Sequence, residues 1–160
     1  MVTIDTVLQV IPAISVSIAA IYYALNIKHQ RVTRQAQLFM QIYDRWYDEK
    51  FVEIVNTFNS YEFTDYEDFI SKYGVEGISK GQIIGRYYEG LGVLVSRKLV
   101  DVSLVDDLMS GNIIRDWGRI GPIIIERRIR ENWLQYGEWF EYLYNRIKTI
   151  IEQQHPELKT

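Results

Sequence analysis

The sequence predicts an all-α protein: an N-terminal transmembrane helix that continues into a cytosolic multi-helix bundle. Three observations carry this. Residues 6–27 (TVLQVIPAISVSIAAIYYALNI) hold no charged side chain. Beyond them, apolar residues recur at steps of four and three, the helical rhythm. With only three Pro and ten Gly the chain is rarely interrupted, and no stretch alternates apolar and polar residues long enough to read as a strand.

The totals narrow the function classes. At 160 residues there is room for one ordinary domain plus an anchor. An aromatic content of 14% excludes a disordered chain, which would be poor in aromatics. The net charge of −3 supplies no basic field, so no nucleic-acid partner is expected. There is no Cys, hence no disulfide, thiolate metal site or Cys nucleophile. His29 and His155, the two histidines, lie near opposite ends and offer neither a His-rich metal site nor a Ser-His-Asp triad. Walker, HExxH and GxSxG motifs are missing. No cofactor, metal site or enzymatic activity is expected.

About twenty apolar residues cross a bilayer core, and residues 6–27 have that length. Tyr22 and Tyr23 stand near one end, where an aromatic belt meets the headgroups. Pro12 would kink this helix, which membrane helices tolerate. A signal peptide fits poorly, because residues 1–5 carry an Asp and no cation. A buried soluble helix is the other competitor, and a charge-free run of this length is long for one. Lys28, Arg31 and Arg34 follow the run, whereas the N-terminal flank has no Lys or Arg. The positive-inside rule then sets the N-terminus outside and the rest in the cytoplasm, as a single-pass protein of the cell membrane. The expected organisation is an anchor with its basic flank over 1–30, a helical bundle over 31–155 and a frayed tail over 156–160.

Within the bundle, Val32, Ala36, Phe39, Tyr43 and Trp46 form the apolar stripe of a helix over 28–47, continuous with the anchor. Asp48 caps a short helix to about Phe58. Thr64-Asp65-Tyr66-Glu67 reads as a capping box for a helix ending at Gly74, and Ser79 as the start of another to about Leu99. That helix has an apolar face of Ile83, Ile84, Tyr87, Leu91, Leu94 and Val95, and a second face with Gly81, Gly85, Gly92 and Ser96. Glycine costs about 1 kcal/mol relative to Ala inside a helix. Its repetition on one side implies close approach of another helix or a ligand groove. Ser103 is expected to cap a short helix closed by Gly111, and Asn112 to start another that Gly121-Pro122 breaks. Glu126/Arg130 and Arg127/Glu131 are spaced as i,i+4 pairs. Gly137 marks a break before a last helix over 138–154, whose stripe is Tyr136, Phe140, Leu143, Ile147 and Ile150. This helix is expected to pack antiparallel to the helix over 28–47.

Between Asp48 and Glu76 eight acids face two lysines, so this stretch is either a solvated acidic face or a dock for a basic partner or for the later Arg cluster. The candidate polar cluster is Glu89 with Arg86, Arg127 and Arg128, walled by Trp117. One interpretation is an ion pair that fixes helix register; the other is a small polar pocket.

A resemblance arises from several motifs taken together. A single N-terminal span leads into Arg34-Gln35-Ala36-Gln37. Tyr87-Tyr88-Glu89-Gly90-Leu91-Gly92 and Asp116-Trp117 come next, followed by Pro122 with Arg127-Arg128 and by Phe140-Glu141-Tyr142-Leu143. The order is similar to an uncharacterised family of small prokaryotic membrane-anchored helical proteins, classed as a domain of unknown function. The resemblance covers nearly the whole chain and implies fold and topology, with no catalytic residues to transfer. The expected function is a non-enzymatic interaction or scaffold module at the inner membrane face, bound to the lipid bilayer and to a protein partner or a second copy. The alternative is a membrane-tethered sensor of a small anionic ligand or lipid headgroup.

Overall fold

The structure is a computed structural model. It describes residues 4–158, with side chains placed at residue 12 and over 14–157. Among the described residues there are five α-helices, two short 3-10 turns and no strand. Contacts divide the chain into two compact units, Met1–Gln37 and Leu38–Thr160.

The first helix, α1 (Ile4–Tyr43), runs through both Pro12 and the basic flank without a break. In the first unit its apolar side chains stand in the open: Ile18, Ile21 and Ile27 are each more than 60% exposed. Lys28, Arg31 and Arg34 are exposed too. Among the described residues, no helix is long and apolar enough to cross a membrane. The span expected over 6–27 falls partly on residues 6–11 and 13, whose side chains lie outside the described ones. The fold supports a helix there and lends the span itself no support.

The second unit begins at Leu38, within α1. Of its expected stripe, Phe39 is buried, Tyr43 and Trp46 are half-buried, and Val32, in the first unit, is exposed. A 3-10 turn, Asp44–Tyr47, ends the helix earlier than the rhythm implied. It carries Trp46 against Phe51, Tyr87 and Tyr88. Asp48 then caps α2 (Glu49–Asn59) by accepting from Phe51 N at 3.1 Å. Phe51, Val55 and Phe58, one face of this helix, are buried.

The next helix, α3 (Tyr66–Ser96), starts one residue later than the capping box implied. Asp65 is the cap, accepting from Asp68 N at 2.9 Å, while Asp68 accepts from Thr64 N at 3.0 Å. At Gly74 the backbone leaves the helical region (φ 50°, ψ −141°). That conformation favours glycine and explains the break expected there. The helix resumes at once, so Ser79 is interior and its Oγ donates to Val75 O.

Asp101, rather than Ser103, caps α4 (Val102–Arg130), accepting from Ser103 N. This helix overrides three expected interruptions, at Gly111, Asn112 and Gly121-Pro122. A proline clashes with the Cβ of the residue before it, and Gly121 has none. The buried Ile120, Ile123 and Ile124 on either side tie both turns to the core. Tertiary packing thus outweighs the local penalty.

Gly137 (φ 71°) breaks the chain as expected, and α5 (Glu138–Gln154) follows to His155. A short 3-10 turn, Pro156–Leu158, occupies most of the expected frayed tail, and residues 159–160 lie outside the described ones. Phe140, Leu143 and Ile147 are fully buried. The expected antiparallel pairing with the helix over 28–47 gives way to packing on α3 and α4. Phe140 stacks on Tyr88 at 4.5 Å and meets Trp117 edge-on at 4.9 Å. Gly92 makes this approach possible: a Cβ there would lie 2.1 Å from Trp139 O.

Candidate functional site

The five residues singled out for a polar cluster separate into three environments. Trp117 belongs to the core, stacked on Tyr144 and edge-on to Phe140. It walls no polar pocket, because α5 covers it.

Arg127 and Arg128 brace the turn between α4 and α5. Arg127 pairs with Glu131 at 2.7 Å, donates to Tyr136 Oη at 3.1 Å and lies over the Tyr136 ring. Arg128 donates through Nε to Tyr136 O at 2.6 Å and pairs with Glu141 at 2.5 Å. Neither forms the expected ion pair with Glu89.

Glu89 has a different partner. The N-cap of α5 is Gly137, which has no side chain to satisfy the first N–H groups of that helix. Glu89 Oε2, reaching across from α3, accepts from Phe140 N at 2.8 Å. It therefore caps α5 from a neighbouring helix, where a carboxylate also complements the positive helix end. Burial pushes the Glu89 carboxyl above the usual glutamate range, and the Phe140 and Trp139 N–H groups only partly offset it. The ion pair expected of Glu89 does not form among the described residues; its place is taken by a cap on α5.

Beside Glu89 a cavity of about 250 Å³ opens. Gln82, Gly85, Arg86 and Glu89 form its α3 wall, and Trp133, Gln135 and Tyr136 of the turn form the opposite one. Arg86 is exposed and has no ion-pair partner among the described residues. Gly85 has nothing within 4 Å of where a Cβ would sit. The glycine face thus divides: Gly92 serves helix approach and Gly85 lines a cavity.

Two further features lie outside the candidate cluster read from the sequence. A cavity of about 850 Å³ lies between the 61–67 loop and α4, lined in part by Phe63, Glu67, Lys72, Arg119 and Glu126. Several of its charged groups are tied internally. Arg119 Nη2 donates to Tyr61 O, although Arg119 Nε is buried without a hydrogen-bond partner. Lys72 pairs with Asp68 at 2.9 Å, and Arg130 pairs with Glu67 and Glu126. The Arg130–Glu67 contact joins the acidic stretch to the later Arg cluster, one of the roles expected for it. The second feature is Asp116, only 1% exposed, which accepts from Tyr88 Oη at 2.8 Å and from Arg115 Nε at 2.8 Å. Burial and the Asp116 carboxylate raise the Tyr88 hydroxyl well above its ordinary value. Position 116 falls on the buried face of α4, so helical phase was the available signal for it.

Among the described residues no group of His, Asp or Glu side chains comes together to hold a metal ion. Residues 11–147 match the model of a domain of unknown function, DUF4760. No curated protein matches this chain, and no solved structure does.

Proposed function

The chain belongs to this family of unknown function, and we propose that it is a non-enzymatic, membrane-anchored helical module that presents its folded unit for protein contacts at the inner membrane face. The observation that carries the anchor is the exposed apolar surface of α1: Ile14, Val16, Ile18, Ile21, Leu25 and Ile27 are all exposed, with no charge between residue 6 and Lys28. A helix apolar on all sides requires a lipid or protein environment. The polar groups of the second unit support a structural rather than catalytic role, since Arg127 pairs with Glu131, Arg128 with Glu141 and Tyr88 with Asp116, although Arg128 Nη2 is buried without a hydrogen-bond partner. At the end of α4, Ile129 and Leu134 are both at least 70% exposed, a surface suited to a partner or a second copy.

Fractionation of cells expressing the full chain tests the anchor. The protein is expected in membranes that resist an alkaline carbonate wash, and Ile18→Glu with Ile21→Glu is expected to release it. Recovery of the unchanged chain in the supernatant overturns the proposal. Because the chain has no Cys, Lys148→Cys provides a single thiol. Labelling by a membrane-impermeant reagent only after lysis places α5 inside; labelling of intact cells reverses the orientation. Crosslinking in membranes should capture a stoichiometric partner or dimer that Leu134→Ser diminishes, and recovery of a lone monomer counts against the contact role.

A second possibility, a tethered sensor of a small anionic ligand or lipid headgroup, draws on the cavity beside Arg86.

A further inference from the structure

We infer that the cavity beside Glu89 takes a small zwitterion, with one ammonium and one oxyanion a few bonds apart, rather than a simple anion. The inference deepens the sensor possibility and rests on it; the membrane anchor plays no part in the argument. Arg86 and Glu89 are three residues apart on α3 and line the same cavity. Side chains at that spacing are neighbours, with Cβ atoms about 5–6 Å apart, and would ordinarily pair. Here they do not. Glu89 Oε2 is held by Phe140 N at 2.8 Å, which keeps the carboxylate at the α5 end of the cavity. Arg86 is left with no ion-pair partner among the described residues. The result is a held carboxylate and an exposed, unpaired guanidinium on one wall of the cavity.

Each simple ion meets a penalty in this arrangement. An inorganic anion bound at Arg86 lies near the Glu89 carboxylate, and a simple amine at Glu89 lies near the Arg86 guanidinium. A molecule with both charges satisfies both residues. Trp133, which lines the cavity and packs on Tyr136 at 5.0 Å, is the aromatic group available to an ammonium, because the Tyr136 ring already lies under Arg127 at 4.8 Å. Gln82 and Gln135 add amide donors and acceptors at the edges. The volume of about 250 Å³ limits the ligand to a few heavy atoms beyond the charged groups. In the larger cavity Lys72, Glu67 and Glu126 are already paired, and Arg119 donates to Tyr61 O. Two sources share the chemistry: a free α-amino acid and a phosphoethanolamine headgroup.

The test is calorimetric titration of the full chain in detergent with L-leucine, glycerophosphoethanolamine, inorganic phosphate and ethylamine. At least one zwitterion is expected to bind about ten-fold tighter than phosphate or ethylamine. Leucine binding alone identifies a free amino acid. Glycerophosphoethanolamine binding alone, with a matching preference for phosphatidylethanolamine over phosphatidylglycerol nanodiscs, identifies the headgroup. Arg86→Gln and Glu89→Gln should each remove the preference for the zwitterion, the second while keeping an acceptor for Phe140 N. Gly85→Leu should abolish binding without lowering the melting temperature, because the space at Gly85 is open. Phosphate binding as tightly as the zwitterions overturns the inference and leaves a sensor of anions. Binding of none of the four overturns the sensor possibility as well.

Discussion

Gly85 and Gly92 are two helical turns apart on the same side of α3, yet they are glycines for opposite reasons. At Gly92 the Trp139 carbonyl lies where a Cβ would go. The absence of a side chain there lets α5 seat Phe140 against Tyr88. At Gly85 no atom comes near, and the missing side chain leaves a cavity bordered by Arg86 and Glu89. One helix face therefore contains a contact built to backbone distance and a void. Glu89, between the two glycines in sequence, links them: it borders the void and caps the helix that Gly92 admits. The lesson is that a glycine stripe reports low bulk and does not say what the space is for.

Four measurements break or sharpen this contrast. The largest effect is expected from Gly92→Ala, whose methyl collides with backbone that cannot move without shifting α5. A loss of about 3 kcal/mol or more is expected in denaturant unfolding. A change below about 1 kcal/mol would mean that α5 does not sit so close. Next comes Glu89→Ala, which uncaps α5 and should cost about 1 kcal/mol. Glu89→Gln should lose less, since its amide oxygen still accepts from Phe140 N; equal losses would contradict the capping role. Gly85→Ala should act in the opposite direction, stabilising by about 0.5–1 kcal/mol through the lower entropy of the unfolded chain. Destabilisation there would show the site to be packed after all. The smallest effect is in pH. Burial holds the folded Glu89 carboxyl above its ordinary 4.5, so the folded protein binds this proton more tightly than the unfolded chain. The stability from that proton is complete below the ordinary value and is lost as pH rises through the folded one. The stability of the wild type relative to Glu89→Gln should therefore fall as pH increases across that window, and a rise would reverse the assignment.

Much of the secondary structure was legible residue by residue. Asp48 and Gly137 were readable as boundaries because a cap and a left-handed glycine act within a few residues. The stripe Phe140, Leu143, Ile147 was readable because burial follows helical phase. Pro122 misled for the same reason: its local cost was correctly assessed, but the three buried isoleucines around it lie on a helix whose partners are distant in sequence. The candidate cluster was half legible. Position alone marked Glu89 as a buried polar candidate and left the glycine face open between helix approach and a groove. That Arg127 and Arg128 brace the turn through Tyr136, Glu131 and Glu141, and that Trp117 lies in the core, depended on where α5 docks.

The sequence by itself determined the helical character, the apolar faces and breaks such as Asp48 and Gly137, because these follow from 3.6-residue periodicity, capping and glycine backbone freedom; that α4 runs unbroken from Val102 to Arg130 was decided by packing. Only the tertiary structure decided which glycine touches a neighbour, which nitrogen Glu89 holds and which arginine is left unpaired. Those outcomes join residues some fifty positions apart, as Glu89 and Phe140 are. A side chain's partner at that range is set by how helices pack, and no local preference encodes it.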